Sequence, residues 1–397
     1  MKICVAGKSN ISIDVCEYIL QTYSDVELYA ITNKNDLGIN QSQRSFWRYI
    51  NATTAIKRVE LADIYPMEDI LFLSLEFDRI VRPELFKSKR LYNIHFSKLP
   101  AYKGMYTAAL PILHGAKQTG VTLHCIDAGI DTGDIIAQRV YELTSSDTSE
   151  TLYNKNIQLG TELVIEYLPT LIGENIVSMP QSSIGSTYFS KSAIDYGNLK
   201  INLQSTAYQV DTQIRAFNFR QYQLVSVNSY PIVYTEITND RSLHKPGTIL
   251  DDTESYLKVA TIDYDILLYK DRLSEIINYC KNDDLNSLKA ILNLKKFINL
   301  RNKEYGWTPL MVAAYNNSCD IVSYLISLGA DVNAANYNGT TPLMYAKDAA
   351  IRHGNTKILE LLLKAGADRY VKDYDGRDIF SYVIDQSLTV YDYLKNF

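Results

Sequence analysis

The sequence predicts three successive architectures: an α/β layered unit, then a small β-rich segment, then an all-α array. Three observations carry this. Strand-like apolar runs at 2–6, 26–31 and 70–75 alternate with amphipathic helical stretches, the pattern of a parallel sheet with crossover helices. From Asn202 to about Lys270 the apolar segments shorten around Val225, Val233, Ile249 and Val259 and are punctuated by Pro231 and Pro246-Gly247. Beyond that, Gly306-Trp307-Thr308-Pro309-Leu310 returns as Gly339-Thr340-Thr341-Pro342-Leu343, a step of 33 residues. A chain of 397 residues exceeds one compact core. The expected domains are 1–200, 201–268 and 269–397.

The first unit opens with a strand from Lys2 to Ala6, the loop Gly7-Lys8-Ser9-Asn10, a helix from Ile13 to Tyr23 and a second strand from Val26 to Ile31. This is a Rossmann-like start, but the loop lacks GxGxxG, so no dinucleotide fingerprint is supported. Lys8 is a candidate phosphate contact, weighed against an ordinary surface lysine. Ile70 to Leu75 reads as a central buried strand, and Leu91 to Phe96 alternates as another. The run from Gly120 to Asp127 leads into the loop Gly129-Ile130-Asp131-Thr132-Gly133-Asp134. Helices follow at Ala108 to His114, Thr148 to Leu171 and Val210 to Phe217.

Asn93 and His95 lie two apart on a strand and therefore face one side. An open α/β sheet places its ligands at such strand ends, where Asp131 from the neighbouring loop can meet both. An amide, an imidazole and a carboxylate, with no metal-ligand spacing and no Ser or Cys paired to a base, suit transfer of a carbon group to a neutral amine. His95 is the proton handler near neutral pH. Asn93 can offer amide hydrogens to a developing oxyanion, an interaction worth about 3 kcal/mol or more in comparable sites. Asp131 can orient the imidazole, stabilise a cation or take the amine proton. His124 lies on the strand entering the Asp131 loop and reads as structural because its neighbours alternate. His114 before Gly115 reads as a helix C-terminus.

The segment from Asn93 to Gly104, with Asp127 to Gly133 after it, resembles the catalytic core of the formyltransferases that use 10-formyltetrahydrofolate. That family includes methionyl-tRNA, glycinamide ribonucleotide and nucleotide-sugar N-formyltransferases. The resemblance covers about the first half of the chain and implies Asn93, His95 and Asp131 as the catalytic residues. It implies a folate site walled by Phe77, Ile80, Ile126 and Asp127, mostly through backbone atoms. Lys8, Tyr102, Lys103, Gly104 and Tyr106 form the expected substrate-binding set, a basic and aromatic surface suited to a pyrophosphate and a sugar ring. The β-rich segment, with Ile214-Arg215-Ala216-Phe217 and Pro246-Gly247, is similar to the accessory domain of the same family and implies a homodimer. This organisation implies an amino group on a nucleotide-linked deoxysugar as acceptor, dTDP-3-amino-3,6-dideoxy-D-glucose, for O-antigen polysaccharide. A 4-amino sugar nucleotide or glycinamide ribonucleotide is the alternative, and a non-enzymatic scaffold is disfavoured by the intact triad.

The 33-residue step, with Gly329-Ala330-Asp331 recurring at Gly366-Ala367-Asp368, is the signature of ankyrin repeats. A third start at Gly376 lies 37 residues on, and Lys347 to Gly354 is expected to absorb the extra four between the helices. Tyr305, Trp307, Tyr315, Asn316, Tyr337 and Asn338 fall at repeat positions that are normally solvent-facing. They suit a protein partner or a second nucleotide sugar, whose base would stack for roughly 1–3 kcal/mol. A net charge of -5 gives no electrostatic footprint for nucleic acid or an anionic membrane. Five unpaired Cys residues and the lack of a long apolar run point to a cytoplasmic protein without a membrane span.

Overall fold

The computed structural model describes all 397 residues, which divide into two compact units. The first comprises residues 1–39, 43–252 and 257–269, and the second residues 40–42, 253–256 and 270–397.

The first unit begins with β1 (Lys2–Gly7), α1 (Ser9–Thr22), β2 (Glu27–Thr32), α2 (Phe46–Ala52), β3 (Ile56–Arg58), α3 (Leu61–Ile64), β4 (Ile70–Leu75) and β5 (Leu91–His95). The short β6 (Lys103–Gly104) and α4 (Leu110–Leu113) precede β7 (Gln118–Cys125), β8 (Ile135–Glu142) and the long α5 (Ser149–Ile172). One seven-stranded sheet results, in the order β3-β2-β1-β4-β5-β7-β8. Its first five strands run parallel, whereas β7 and β8 run antiparallel. The order reverses between β1 and β4, which makes the crevice beyond their C-terminal ends the topological switch point.

Period-two alternation sorts the side chains to the two faces. Ile3, Val5, Leu71, Leu73 and Leu75 go to the face covered by α1 and α5, while Cys4, Ala6, Ile70 and Phe72 build the opposite core. Where α5 crosses the sheet, a Cβ on Gly160 would sit 3.1–3.3 Å from Phe96, Ile11 and Ile94, so the glycine permits this close approach. Thr148 caps α5 by accepting from Thr151 N, while Thr151 Oγ1 in turn accepts from Thr148 N.

The β-rich part follows a two-residue strand, β9 (Tyr188–Phe189), that pairs with β6. It contains α6 (Ala207–Phe217) and a five-stranded sheet in the order β10-β11-β14-β13-β12. These strands are β10 (Ser226–Val227), β11 (Tyr230–Arg241), β12 (Ile249–Asp252), β13 (Tyr256–Val259) and β14 (Tyr264–Lys270). Val210, Ile214 and Phe217 of α6 pack on Ile232, Leu257, Val259, Ile266 and Leu268.

The second unit is a stack of helix pairs: α7 (Leu273–Lys281) with α8 (Leu285–Lys289), α9 (Pro309–Tyr315) with α10 (Cys319–Ser327), α11 (Pro342–His353) with α12 (Lys357–Lys364), and α13 (Ile379–Val383) with α14 (Leu388–Asn396). The recurring Thr-Pro explains itself at the α9 and α11 starts. Thr308 and Thr341 accept from the Met311 and Met344 backbone N–H, and the following proline has no N–H to leave unsatisfied. Asn299 Oδ1 accepts from Asp331 N and Asn333 Oδ1 from Asp368 N, one repeat further on each time. The extra residues of the long repeat lie within α11, which has 12 residues against 7 in α9, and not between the helices as the sequence suggested. Four residues are close to one helical turn, so the buried face keeps its direction. No helix is long and apolar enough to cross a membrane.

Leu73 is fully buried in the core beneath α1 and α5. Leu73→Ala should lower stability by about 2–5 kcal/mol, read as a lower urea midpoint with an unchanged m-value.

Candidate functional site

Antiparallel pairing of β5 with β7 sets Asn93 opposite His124 and His95 opposite Thr122. All four therefore share one face at the end of the sheet. The loop after β7 brings Asp131 to the same place, with the residue held at a φ of 54°. Gly133 makes this loop possible: a Cβ there would lie 1.9 Å from the Cys125 carbonyl oxygen. Gln181 Nε2 clamps the loop from outside by donating to the Asp131 and Gly133 carbonyls, 2.8 Å each.

The three residues expected to act together are brought together. His95 Nδ1 lies 3.3 Å from Asp131 Oδ2, and Asn93 Nδ2 lies 3.4 Å from Asp131 Oδ1. His95 Nε2 is 2.8 Å from the Tyr102 carbonyl. A carbonyl only accepts, so Nε2 carries the proton and the neutral ring turns its Nδ1 lone pair toward the carboxylate. Gly104 N donates to Asp131 Oδ2 at 2.9 Å. The loop that supplies these backbone groups is strained, with Tyr102 and Tyr106 at φ values of 58° and 64°, conformations costing about 1–3 kcal/mol each for such residues.

Burial lowers the His95 pKa from its ordinary value, and the Asp131 charge opposes this without overcoming it. Burial would raise Asp131, but the neighbouring His95 and His124 rings and the Gly104 N–H outweigh it and hold the carboxyl below its ordinary value. At neutral pH the site thus presents a neutral imidazole beside a carboxylate. A proton arriving at Nδ1 falls between two groups that both lack a hydrogen on their facing atoms.

His124, read from the sequence as structural, belongs to this face. Its Nε2 is 3.0 Å from Asn93 Nδ2 and 3.6 Å from Asp131 Oδ1. Strand alternation alone could not show this, because the signal is the register between β5 and β7. Both Asn93 amide hydrogens are thus directed at His124 and Asp131.

The other expected site residues divide. Phe77 is half-buried, with the Arg79 guanidinium 4.6 Å from its ring centre, while Ile80 is 72% exposed. Ile126 packs on the core below, and Asp127 accepts from Gly129 N and Thr132 Oγ1 of its own loop. Lys103, expected as part of a basic surface, is only 9% exposed and donates to Ser186 Oγ. Tyr102, His114 and Phe189 form a three-ring cluster with centres 5.4–5.8 Å apart, and the Tyr106 hydroxyl donates to the Lys191 carbonyl. Lys8 stands at the switch point but its ammonium is 3.8 Å from Glu76. Burial raises the Glu76 pKa, opposed by Lys8 and by hydrogen bonds from Ser9 and Tyr153. Sequence reasoning missed Glu76 and Gln181; an acidic residue directly after a buried strand was the available signal for the first.

In the repeat unit, Tyr305, Trp307 and Tyr315 gather with Tyr345 at ring separations of 5.2–6.2 Å. Tyr337 is corrected: it is 4% exposed, because its ring packs where Gly306 has no Cβ and its hydroxyl donates to the Asn302 carbonyl. Asn316 spends an amide hydrogen on the Val312 carbonyl. No group of three or more His, Cys, Asp or Glu side chains could hold a metal ion.

The likeness of this chain to known proteins is specific. Residues 67–168 match the formyl transferase family, 193–275 the formyl transferase C-terminal domain and 276–373 ankyrin repeats in three copies. The N-formyltransferase of Helicobacter canadensis, solved with folinic acid and dTDP-3-aminofucose, is 39% identical with a TM-score of 0.63, covering 68% of this chain and 100% of its own. WlaRD, a sugar 3N-formyl transferase solved with dTDP and 5-N-formyl-THF, is 38% identical with a TM-score of 0.63, covering 68% and 98%. The methionyl-tRNA formyltransferase of Rickettsia felis is 33% identical over 186 residues, 46% of this chain and 60% of its own length. That of Nitrosospira multiformis is 34% identical over 160 residues, 40% of this chain and 51% of its own. The chain therefore spans between half and three fifths of these two curated relatives. The architecture is a formyl transferase core with its C-terminal domain, followed by ankyrin repeats. The protein belongs to the formyl transferase family.

The geometry predicts a His95 imidazole titrating below 6.5, the ordinary value. Since the Asp131 charge raises that pKa, Asp131→Asn should push it lower still. NMR titration of the ring checks both; a wild-type value above 6.5 contradicts the first and a rise in the variant the second.

Proposed function

We propose that this chain transfers a formyl group from 10-formyltetrahydrofolate to the amine of a nucleotide-linked amino deoxysugar, dTDP-3-amino-3,6-dideoxy-D-glucose, for O-antigen polysaccharide. The observation that carries the reading is the full-length match to the Helicobacter canadensis enzyme solved with folinic acid and dTDP-3-aminofucose. The methionyl-tRNA formyltransferases match over a smaller share of their length, and a net charge of -5 is a poor footprint for tRNA.

The residues fit a folate donor. A pterin has apolar faces and a polar edge, and the loops after β4 and β7 expose Ile80 and Ile130 beside the backbone of Phe77 and Ile126. Gln181 Oε1, on the clamp of the Asp131 loop, is a buried acceptor with no partner. The bound donor supplies an activated formyl carbonyl. His95 Nδ1 and Asp131 Oδ2 together take the proton that the attacking amine loses, and Tyr102 O keeps the ring in the tautomer that leaves Nδ1 open. Lys8 at the switch point, 3.8 Å from Glu76, is the contact for the acceptor's phosphates in this reading. The β-rich domain carries a homodimer in this reading, and the enzyme works in the cytoplasm.

Incubating the protein with 10-formyltetrahydrofolate and a panel of amino sugar nucleotides, with the free sugars as controls, tests this. The dTDP-linked 3-amino sugar should be formylated with a kcat/KM well above that of the free sugar, because remote contacts position the amine. His95→Asn and Asp131→Asn should lower turnover by about two orders of magnitude or more. Equal rates for free and nucleotide-linked sugar, or near-normal turnover in either variant, would overturn the reading.

A second nucleotide sugar on the repeat unit has one observation in its favour over a protein partner. Beside Trp307 and Tyr315, the Arg352 guanidinium lies 4.4 Å from the Tyr315 ring centre, so a stacking surface and a cation for phosphate coincide. Calorimetric titration should find two sites per chain, one of them lost in Trp307→Ala; a single site unaffected by that change excludes it.

A further inference from the structure

We propose that His124 is a positioning residue for formyl transfer, acting through the side-chain amide of Asn93. This rests on reading Asn93, His95 and Asp131 as a formyl-transfer site, and adds to it a fourth residue and a task.

His124 is 2% exposed and lies directly opposite Asn93 in the β5–β7 register. Its Nδ1 is 2.8 Å from the Cys125 carbonyl. A carbonyl can only accept, so in the neutral ring the proton sits on Nδ1 and Nε2 holds a lone pair. That lone pair is 3.0 Å from Asn93 Nδ2 and takes one amide hydrogen. The other hydrogen points toward Asp131 Oδ1 at the longer distance of 3.4 Å.

Two consequences follow for the amide. Its orientation is single-valued, because a half-turn would set the Asn93 carbonyl oxygen against the His124 lone pair and the Asp131 carboxylate, both acceptors. Its two donors are also unequal. The short bond to His124 is an anchor, whereas the long one to Asp131 is the bond that can be given up to the formyl oxygen as negative charge develops there. Without the anchor the amide can rotate and turn its own oxygen toward that charge. The Cys125 carbonyl, by fixing the His124 tautomer, is the last member of the relay.

Steady-state kinetics of the full chain with 10-formyltetrahydrofolate and the nucleotide sugar test this. His124→Leu should lower kcat about tenfold or more and leave both KM values within about twofold. His124→Gln, whose side-chain oxygen can accept in place of Nε2, should recover most of the loss. In an Asn93→Ala background His124→Leu should cost nothing further, since the partner through which it acts is gone. A kcat within twofold of wild type for His124→Leu, or the same fold loss in both backgrounds, overturns the proposal; if that variant does not fold, His124→Met carries the same comparison. Hydrogen exchange of the Asn93 side-chain amide, followed by NMR, separates the two levels. Wild-type protein that forms no formylated product sinks the functional reading, whereas an Asn93 amide exchanging equally fast in wild type and variant sinks the anchor whatever the activity.

Discussion

The pairing of β5 with β7 is the constraint on which the site depends. The strands up to β5 run parallel, and at β7 the direction reverses. The reversal sets the end of β7 beside the start of β5, with Cys125 opposite Tyr92, and the loop that follows carries Asp131 back to Asn93 and His95. One register then sets Asn93 against His124 and His95 against Thr122. A slip of one residue would turn every one of these side chains to the other face. The slip is opposed by Val121, Leu123, Tyr92 and Ile94, which the same alternation buries beneath α5. The apolar core and the polar site are thus two readings of a single register.

Electrostatics within the site depends on burial as much as on contact. His95, 7% exposed, loses more from desolvation than it gains from Asp131. Asp131 has the opposite outcome because it accepts from a backbone N–H and lies near two imidazoles. Two groups 3.3 Å apart are therefore pushed into different protonation states that suit a proton acceptor and its counter-charge. Thr122 Oγ1 supports the turn that holds them, donating to the Ser97 carbonyl and accepting from Leu99 N. Loop strain at Tyr102 is borne by the packing of His114 and Phe189 against its ring, and at Tyr106 by Tyr196 and the Lys191 carbonyl.

Much of this was legible in the sequence, because the strands are short apolar runs and the repeats announce their own period. The run Ile70 to Leu75 is the strand as read, and the 33-residue step separates equivalent helices starting at Pro309 and Pro342. What escaped was whatever depends on pairing between distant segments. His124 looked structural because its neighbours alternate, and only the register with β5 shows which residue it faces. Lys103 looked like a free cation in a basic loop, but the β6–β9 pairing brings Ser186 to it from 83 residues away. Tyr337 looked exposed by its position in the repeat, and it is buried because the preceding repeat has a glycine where its ring lies. Local periodicity reports which side of an element is apolar; it is silent on what that side meets.

The long α11 bears on how such an array changes length. Insertions into a stack of helix pairs face a phase condition: one residue rotates everything after it by about 100°, whereas four restore the direction to within a few tens of degrees and add about 6 Å of rise. The 37-residue step meets that condition, since α11 carries the surplus and the α12 face bearing Ile358, Leu359 and Leu362 is still buried. Arg352 sits in the last turn of this lengthened helix, against Tyr315 of the preceding repeat. Growth by whole turns lets a repeat reach across to its neighbour with a new side chain while the spine of the stack remains in register.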